Sequence, residues 1–242
     1  MNAHVQSLDI SALVRGNPTL IHPALIWDDR RAVLVDAGFP GQLELFRAAV
    51  EAAGIPFDRL DTLILTHQDL DHIGSAAAIR AAREGGLRVL TGADEAAYIA
   101  GERTPVKLAA MQANLPNLPE ETRAFFQTMQ AAFQASYLAA DATLRDGEVL
   151  PVAGGLQVIA TPGHTPGHIC LYLPESRTLI AGDALTVRDG ALACPPETIT
   201  HDMPESKRSL RKLAALPIDT VLTYHGGAFH GDCAPLIAAL AG

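Results

Sequence analysis

Apolar residues gather into short runs bounded by Gly and Pro, and between those runs they recur at helical spacing. Residues 20–27 and 31–35 read as paired strands joined by the turn Asp28-Asp29-Arg30. Residues 42–53 have helical spacing and stop at Gly54. The uninterrupted run at 62–65 reads as a buried strand, 74–83 as a helix and 87–90 as a returning strand. Strand signals dominate 148–181, and a helix at 204–216 precedes a last strand at 220–224. Residues 96–141 break this rhythm. They are rich in Ala, Gln, Met and Phe, are punctuated by Pro105, Pro116 and Pro119, and show helical spacing over 120–138. The pattern predicts two α/β-type halves with a helical insertion at 96–141, and no internal repeat.

Polar residues with ligand chemistry stand just beyond the ends of these runs. Thr66-His67-Gln68-Asp69-Leu70-Asp71-His72-Ile73-Gly74 packs two imidazoles and two carboxylates into six residues after a strand. Such a set suits a divalent cation, and a strand end leading into a tight loop can aim all four at one point. Three more segments repeat the placement: Thr161-Pro162-Gly163-His164-Thr165-Pro166-Gly167-His168 after 156–160, Gly182-Asp183 after 179–181, and His225-Gly226-Gly227 after 220–224. Core packing does not account for four such coincidences, whereas loops converging at the edge of a sheet do. The paired Pro and Gly around His164 restrict φ at one position and permit positive φ at the next, which holds that loop in a narrow conformation.

In this order the motifs resemble the metallo-β-lactamase superfamily of hydrolases, from Val35-Asp36-Ala37-Gly38 through to His225. The resemblance implies an α+β fold, a four-layer αββα sandwich formed as one domain over 1–242, with 96–141 as a lid or substrate wall. The alternative for 96–141 is a helical excursion packed on the body or forming a homodimer contact. The resemblance further implies that His67, Asp69 and His164 hold one divalent metal ion, that Asp71, His72 and His225 hold a second, and that Asp183 bridges them. Zinc is the expected metal, with iron or manganese as alternatives. In such a site a shared hydroxide attacks a carbonyl carbon while Asp71 binds and orients the nucleophile.

Asp69 departs from the family pattern, which carries a second His there. A carboxylate adds negative charge and a harder donor, weakening the preference for zinc over iron or manganese. A carboxylate at this position also occurs in the related flavodiiron proteins, so an acid there is compatible with a working centre. The function expected is metal-dependent hydrolysis of a small neutral or apolar ester, lactone or thioester. An iron-dependent oxidoreductase and a non-catalytic binding module are the rival classes.

Other residues carry weaker expectations. Asp36 matches a buried Asp that supports the ligands in the resembled family. His168 is expected to orient the His164 loop or pack in the core, and His201 and His230 to lie on the surface. Tyr224 is either a substrate contact or a half-buried strand residue. Phe125, Phe126, Met129 and Phe133 form an apolar stripe that either lines a pocket or is core.

Bulk properties narrow the partners to a small-molecule substrate. The 242 residues suffice for one substantial core. Eighteen Lys and Arg against twenty-seven Asp and Glu give a net charge of −9, which argues against nucleic acid. Residues 1–10 do not read as a signal peptide, and no apolar run is long enough to span a membrane. Cys170, Cys194 and Cys233 are odd in number and widely spaced, with Cys170 inside an apolar run. The cytoplasm is the expected compartment.

Overall fold

The central strands are buried on both faces, and alternate side chains serve different cores. The computed structural model describes residues 3–14, 16–84, 86–117 and 119–242. Leu118 of the expected insertion, and Met1 and Asn2 of the segment examined for a leader, lie outside the described residues. In chain order the strands are β1 (His4–Ser7), β2 (Ile10–Val14), β3 (Asn17–Ile21), β4 (Ala24–Trp27), β5 (Ala32–Val35), β6 (Thr62–Leu65), β7 (Arg88–Gly92) and β8 (Ala142–Leu144). They continue with β9 (Val149–Leu150), β10 (Leu156–Ala160), β11 (Ile169–Leu173), β12 (Thr178–Gly182), β13 (Thr186–Arg188), β14 (Ala191–Ala193), β15 (Thr220–Thr223) and β16 (Gly227–His230). The helices are α1 (Leu43–Ala52), α2 (Leu70–Ile73), α3 (Ala76–Ala82), α4 (Ala96–Ile99), α5 (Val106–Asn114), α6 (Glu120–Ser136), α7 (Met203–Ala214) and α8 (Cys233–Ala241).

Two six-stranded sheets form the middle layers, in the orders β1-β4-β5-β6-β7-β8 and β16-β15-β12-β11-β10-β9. The first is parallel from β5 to β8, and the second is antiparallel except where β12 meets β15. Ile64 of β6 faces the space between the sheets, with Val33, Val35, Ile169, Leu171 and Ile180. Leu63 and Leu65 face the other way, into a core shared with Phe46 and Val50 of α1, Ile79 of α3, and Phe126 and Phe133 of α6. On the far side, Cys170, Tyr172 and Leu179 pack with Leu210 and Leu213 of α7 and Ile237 of α8. The result is the expected αββα order. Each fully buried Leu, Ile, Val or Phe contributes about 1.5–3 kcal/mol, so strands apolar on both faces are what this layering requires.

Several sequence expectations need correction. Residues 20–27 are not one strand. His22 and Pro23 separate β3 from β4, because Pro23 has no N–H to offer a ladder. The strand at 220–224 is not the last, since β16 and α8 follow it. Strands β1 and β2 were not anticipated, being largely exposed and lacking a clear apolar alternation. The predicted helix at 74–83 is α3, preceded by the separate turn α2. No described helix is long and apolar enough to cross a membrane.

Candidate metal centre

The C-terminal ends of β6, β10, β12 and β15 bring all seven sequence-predicted ligand residues to one edge of the sandwich. His67 and Asp69 lie in the loop after β6, Asp71 and His72 on α2, His164 in the loop after β10, Asp183 directly after β12, and His225 after β15. Two donor groups result: His67, Asp69, His164 and Asp183, all buried, and Asp71, His72 and His225.

In the first group Asp69 Oδ2 is 3.3 Å from His67 Nε2 and 3.1 Å from His164 Nε2. Asp183 Oδ2 is 3.3 Å from His164 Nε2 and 4.0 Å from His67 Nε2. In the second, His225 Nε2 is 3.2 Å from Asp71 Oδ2 and 3.5 Å from Asp183 Oδ2, while Asp183 Oδ1 lies 3.4 Å from His72 Nε2. Asp183 thus faces both groups. A tetrahedral ion with ligands at about 2.0–2.2 Å has ligand–ligand edges of about 3.3–3.6 Å. Among the described residues, His67 Nε2, His72 Nε2 and Asp183 Oδ1 are buried with no hydrogen-bond partner. Buried polar atoms left unpaired are costly, and three of them converging at ligand spacing fit divalent cations.

One carboxylate sets both leading histidines. Asp36 is 1% exposed and adopts φ 67°, a left-handed conformation that Asp tolerates better than most residues. It accepts from Thr66 N–H at 2.8 Å and from His72 Nδ1–H at 2.9 Å. It also accepts from the Thr66 hydroxyl, at 2.8 Å to Oδ2. With its proton given to Asp36, Thr66 Oγ1 accepts from His67 Nδ1–H at 3.0 Å. Both rings therefore donate through Nδ1 and turn Nε2 towards the site.

The remaining ligands are held by different means. Asp183 N–H donates to His168 Nε2 at 3.0 Å, and His168 Nδ1–H donates to Thr161 Oγ1 at 2.8 Å. His168 is therefore a neutral brace between the His164 loop and the end of β12. A Cβ on Gly182, at φ 50°, would stand 2.7 Å from His168 Nε2, so glycine is required there. The N-terminus of α7 clamps the His164 loop: Asp202 N–H donates to Gly163 C=O at 2.9 Å and His201 N–H to His164 C=O at 3.1 Å. Asp202 also caps α7 by accepting from Glu205 N–H at 2.9 Å. Tyr224 is buried against the His72 ring, centroids 3.8 Å apart, and its hydroxyl donates to Asp71 C=O. It supports ligand-bearing backbone. The side chains of His201 and His230 are exposed, as expected.

Sequence reading missed three participants. Glu95, after β7, accepts from Thr165 Oγ1 and Gly167 N–H, both at 2.7 Å, and from Gln68 Nε2 at 2.8 Å. Gln68 Oε1 in turn accepts from Val106 N–H at 2.7 Å, tying the ligand loop to the start of α5. Glu95 follows a strand end just as the ligands do, which was its available signal. The third is Lys107 of α5, whose ammonium donates to Asp69 Oδ2 and lies 2.9 Å from His164 Nε2. It is one of three lysines among eighteen basic residues, so its choice over Arg marked it out.

Electrostatics follow from this crowding. Burial lowers the His67 pKa to about 4, aided by the neighbouring His72 charge. Burial opposes the charge of His225, yet Asp183 and Asp71 lift its pKa to about 10. Burial also works against ionised Asp69, but Lys107 and then His67 hold its pKa well below the ordinary value.

Two concavities flank the donor groups. One of about 310 Å³ includes Asp69, Asp71 and Lys107, walled by Leu13, Phe39, Leu70, Leu108, Met111, Phe125, Met129 and Phe133. The other, about 260 Å³, includes Asp183 and His225 with Thr186, Arg188, Pro196 and Ile199. A larger hollow of about 890 Å³ lies against the β2–β3 hairpin but carries none of the seven ligand residues, so its size is no guide to the chemistry.

Comparison with known proteins agrees with this geometry. A family profile described as "Metallo-beta-lactamase superfamily" matches residues 16–225. The chain is 32% identical over 212 residues to the probable metallo-hydrolase YflN of Bacillus subtilis, covering 80% of this chain and 75% of that one. It is 29% identical over 164 residues to the hydroxyacylglutathione hydrolase GloC of Haemophilus influenzae, covering 67% of this chain and 65% of its relative. Among solved structures it is similar to the metallo-beta-lactamase family protein TTHA1429 of Thermus thermophilus, with a TM-score of 0.75 at 25% identity, covering 98% of this chain and 78% of that one.

Proposed function

The chain belongs to the metallo-beta-lactamase superfamily and is a hydrolase of that kind, and from this premise we propose that it cleaves a small uncharged ester, lactone or thioester. The observation that carries the reading is the position of the two donor groups between an apolar concavity and a smaller one that includes Thr186 and Arg188. An acyl chain suits the first, walled by Phe39, Met129 and Phe133. A leaving group suits the second, where Thr186 and Arg188 stand beside Asp183 and His225. In this reading the α5 and α6 segment of 96–141 serves as the substrate wall.

His67, Asp69, His164 and Asp183 would hold one divalent cation, and Asp71, His72, His225 and Asp183 a second. Cations bound there supply Lewis acidity toward a carbonyl oxygen and acidify water. The protein's own groups do the rest. Asp36 and Thr66 fix His67 and His72, so the donor atoms need no reorganisation. His168 holds the Asp183 backbone. Asp71 sits partly exposed at the mouth of the apolar concavity and stays ionised: burial opposes its charge, but His72 and His225 outweigh that. Its carboxylate takes the proton of the attacking water as the new C–O bond forms, and returns it to the departing oxygen or sulfur as the old bond breaks. The unpaired cysteines fit a reducing compartment, and the cytoplasm is the one proposed.

The test is hydrolysis of an acyl ester, a lactone and an acyl thioester by protein purified without chelators, with metal content counted by elemental mass spectrometry. Turnover of at least one substrate that follows metal content and is lost in Asp71→Asn and Asp183→Asn supports the proposal. Metal-replete protein inert toward all three sinks it. Iron with oxygen consumption would instead favour oxidoreductase chemistry at the Asp69 position.

A further inference from the structure

The two donor groups are not equivalent, because among the described residues only the first is paired with a cationic side chain from outside the ligand set. Lys107 Nζ donates to Asp69 Oδ2 and lies 2.9 Å from His164 Nε2. An imidazole nitrogen has one in-plane lone pair. If His164 Nε2 accepts from the ammonium, that pair is used; if it instead donates to Asp69 Oδ2 at 3.1 Å, the nitrogen carries a proton. Either way His164 is unavailable to a metal ion until Lys107 moves or a proton leaves. Among the described residues no lysine or arginine forms an ion pair with Asp71, His72 or His225, and His72 Nε2 and Asp183 Oδ1 have no hydrogen-bond partner there.

The lysine is placed to do this. Val106 N–H, one residue earlier, is pinned to Gln68 Oε1, and Gln68 is pinned to buried Glu95. That chain of bonds registers α5 against the ligand loop and delivers Nζ to the carboxylate that stands where the family pattern has an imidazole. The Lys107 side chain is 34% exposed, so it has solvent into which to withdraw.

We infer that Lys107 is a resident counter-cation of the Asp69 subsite, which makes metal loading sequential. The Asp71–His72–His225–Asp183 group fills first and tightly. The His67–Asp69–His164 group fills second and more weakly, only as Lys107 leaves His164. The inference rests on the metal-binding reading above and adds an order to it.

The test is calorimetric titration of metal-free wild-type protein with zinc, with bound equivalents counted by elemental mass spectrometry. The expected result is one tight equivalent and a second at least about tenfold weaker, the scale on which neighbours of metal ligands act. Lys107→Met closes most of that gap, and Lys107→Arg keeps it. Amine acetylation of the wild type, read by mass spectrometry, follows the lysine directly without any variant. Lys107 is protected at zero and one equivalent and reactive at two, with Lys207 and Lys212 as internal references. Two equivalents of indistinguishable affinity in the wild type, or Lys107 reactivity unchanged by the second equivalent, overturn the inference while leaving the metal site standing. Failure of the wild type to bind any zinc removes the functional reading and this inference together.

Discussion

Asp36 Oδ2 and His72 Nδ1 lie 2.9 Å apart across 36 residues of chain, and that contact decides which nitrogen His72 presents to the site. Asp36→Asn keeps the shape and tolerance of positive φ but removes the charge. Metal affinity should fall by about 10- to 100-fold, as for other carboxylates behind metal-bound histidines. Competition against a chromogenic chelator measures it, and an unchanged affinity would show that Asp36 plays no part in setting the ligand.

Met129 forms part of the apolar wall of the 310 Å³ concavity without being fully buried. Met129→Ala should raise KM for hexanoyl and longer esters while leaving acetyl esters little changed. Equal effects along a chain-length series would mean that acyl groups do not occupy this cavity.

The metal-free protein should be most stable near pH 6.5 and lose stability on both sides. His67, with its folded pKa lowered to about 4, contributes stability present above the unfolded value of 6.5 and lost as pH falls through 4. His225, raised to about 10, contributes stability present below 6.5 and lost as pH rises through 10. Thermal unfolding of chelator-treated protein from pH 4 to 10 gives the profile. A flat Tm across that range would contradict the assigned environments of both rings.

Asp28 joins the two halves of the sandwich. Its carboxylate accepts from Arg30 N–H at 2.7 Å and Arg31 N–H at 2.8 Å, and from Ala153 N–H at 2.9 Å, 125 residues away. Asp28→Ala leaves these donors unpaired and should cost about 1–3 kcal/mol in urea unfolding, with turnover at low denaturant retained. A loss under half a kilocalorie would mean that water replaces the carboxylate.

The sequence by itself determined where ligand chemistry stands. His67, Asp69, Asp71 and His72 follow the apolar run at 62–65 covalently, and a run buried on both faces must end at a sheet edge. The same logic located His164, Asp183 and His225, because local order along the chain is enough to put a polar loop after an apolar strand. Helix α1 and its stop at Gly54, which adopts φ 83°, were legible for the same local reason. What only the tertiary structure decided are the relations that cross the chain. Strand β3 parts from β4 at Pro23, and β1 joins the sheet through β4 rather than through any pattern of its own. Glu95 braces the His164 loop from 70 residues away, and Lys107 reaches Asp69 from α5, which lies outside the helical spacing read at 120–138. Those contacts depend on how layers stack and how α5 is registered, and a single hydrophobic period carries no information about either.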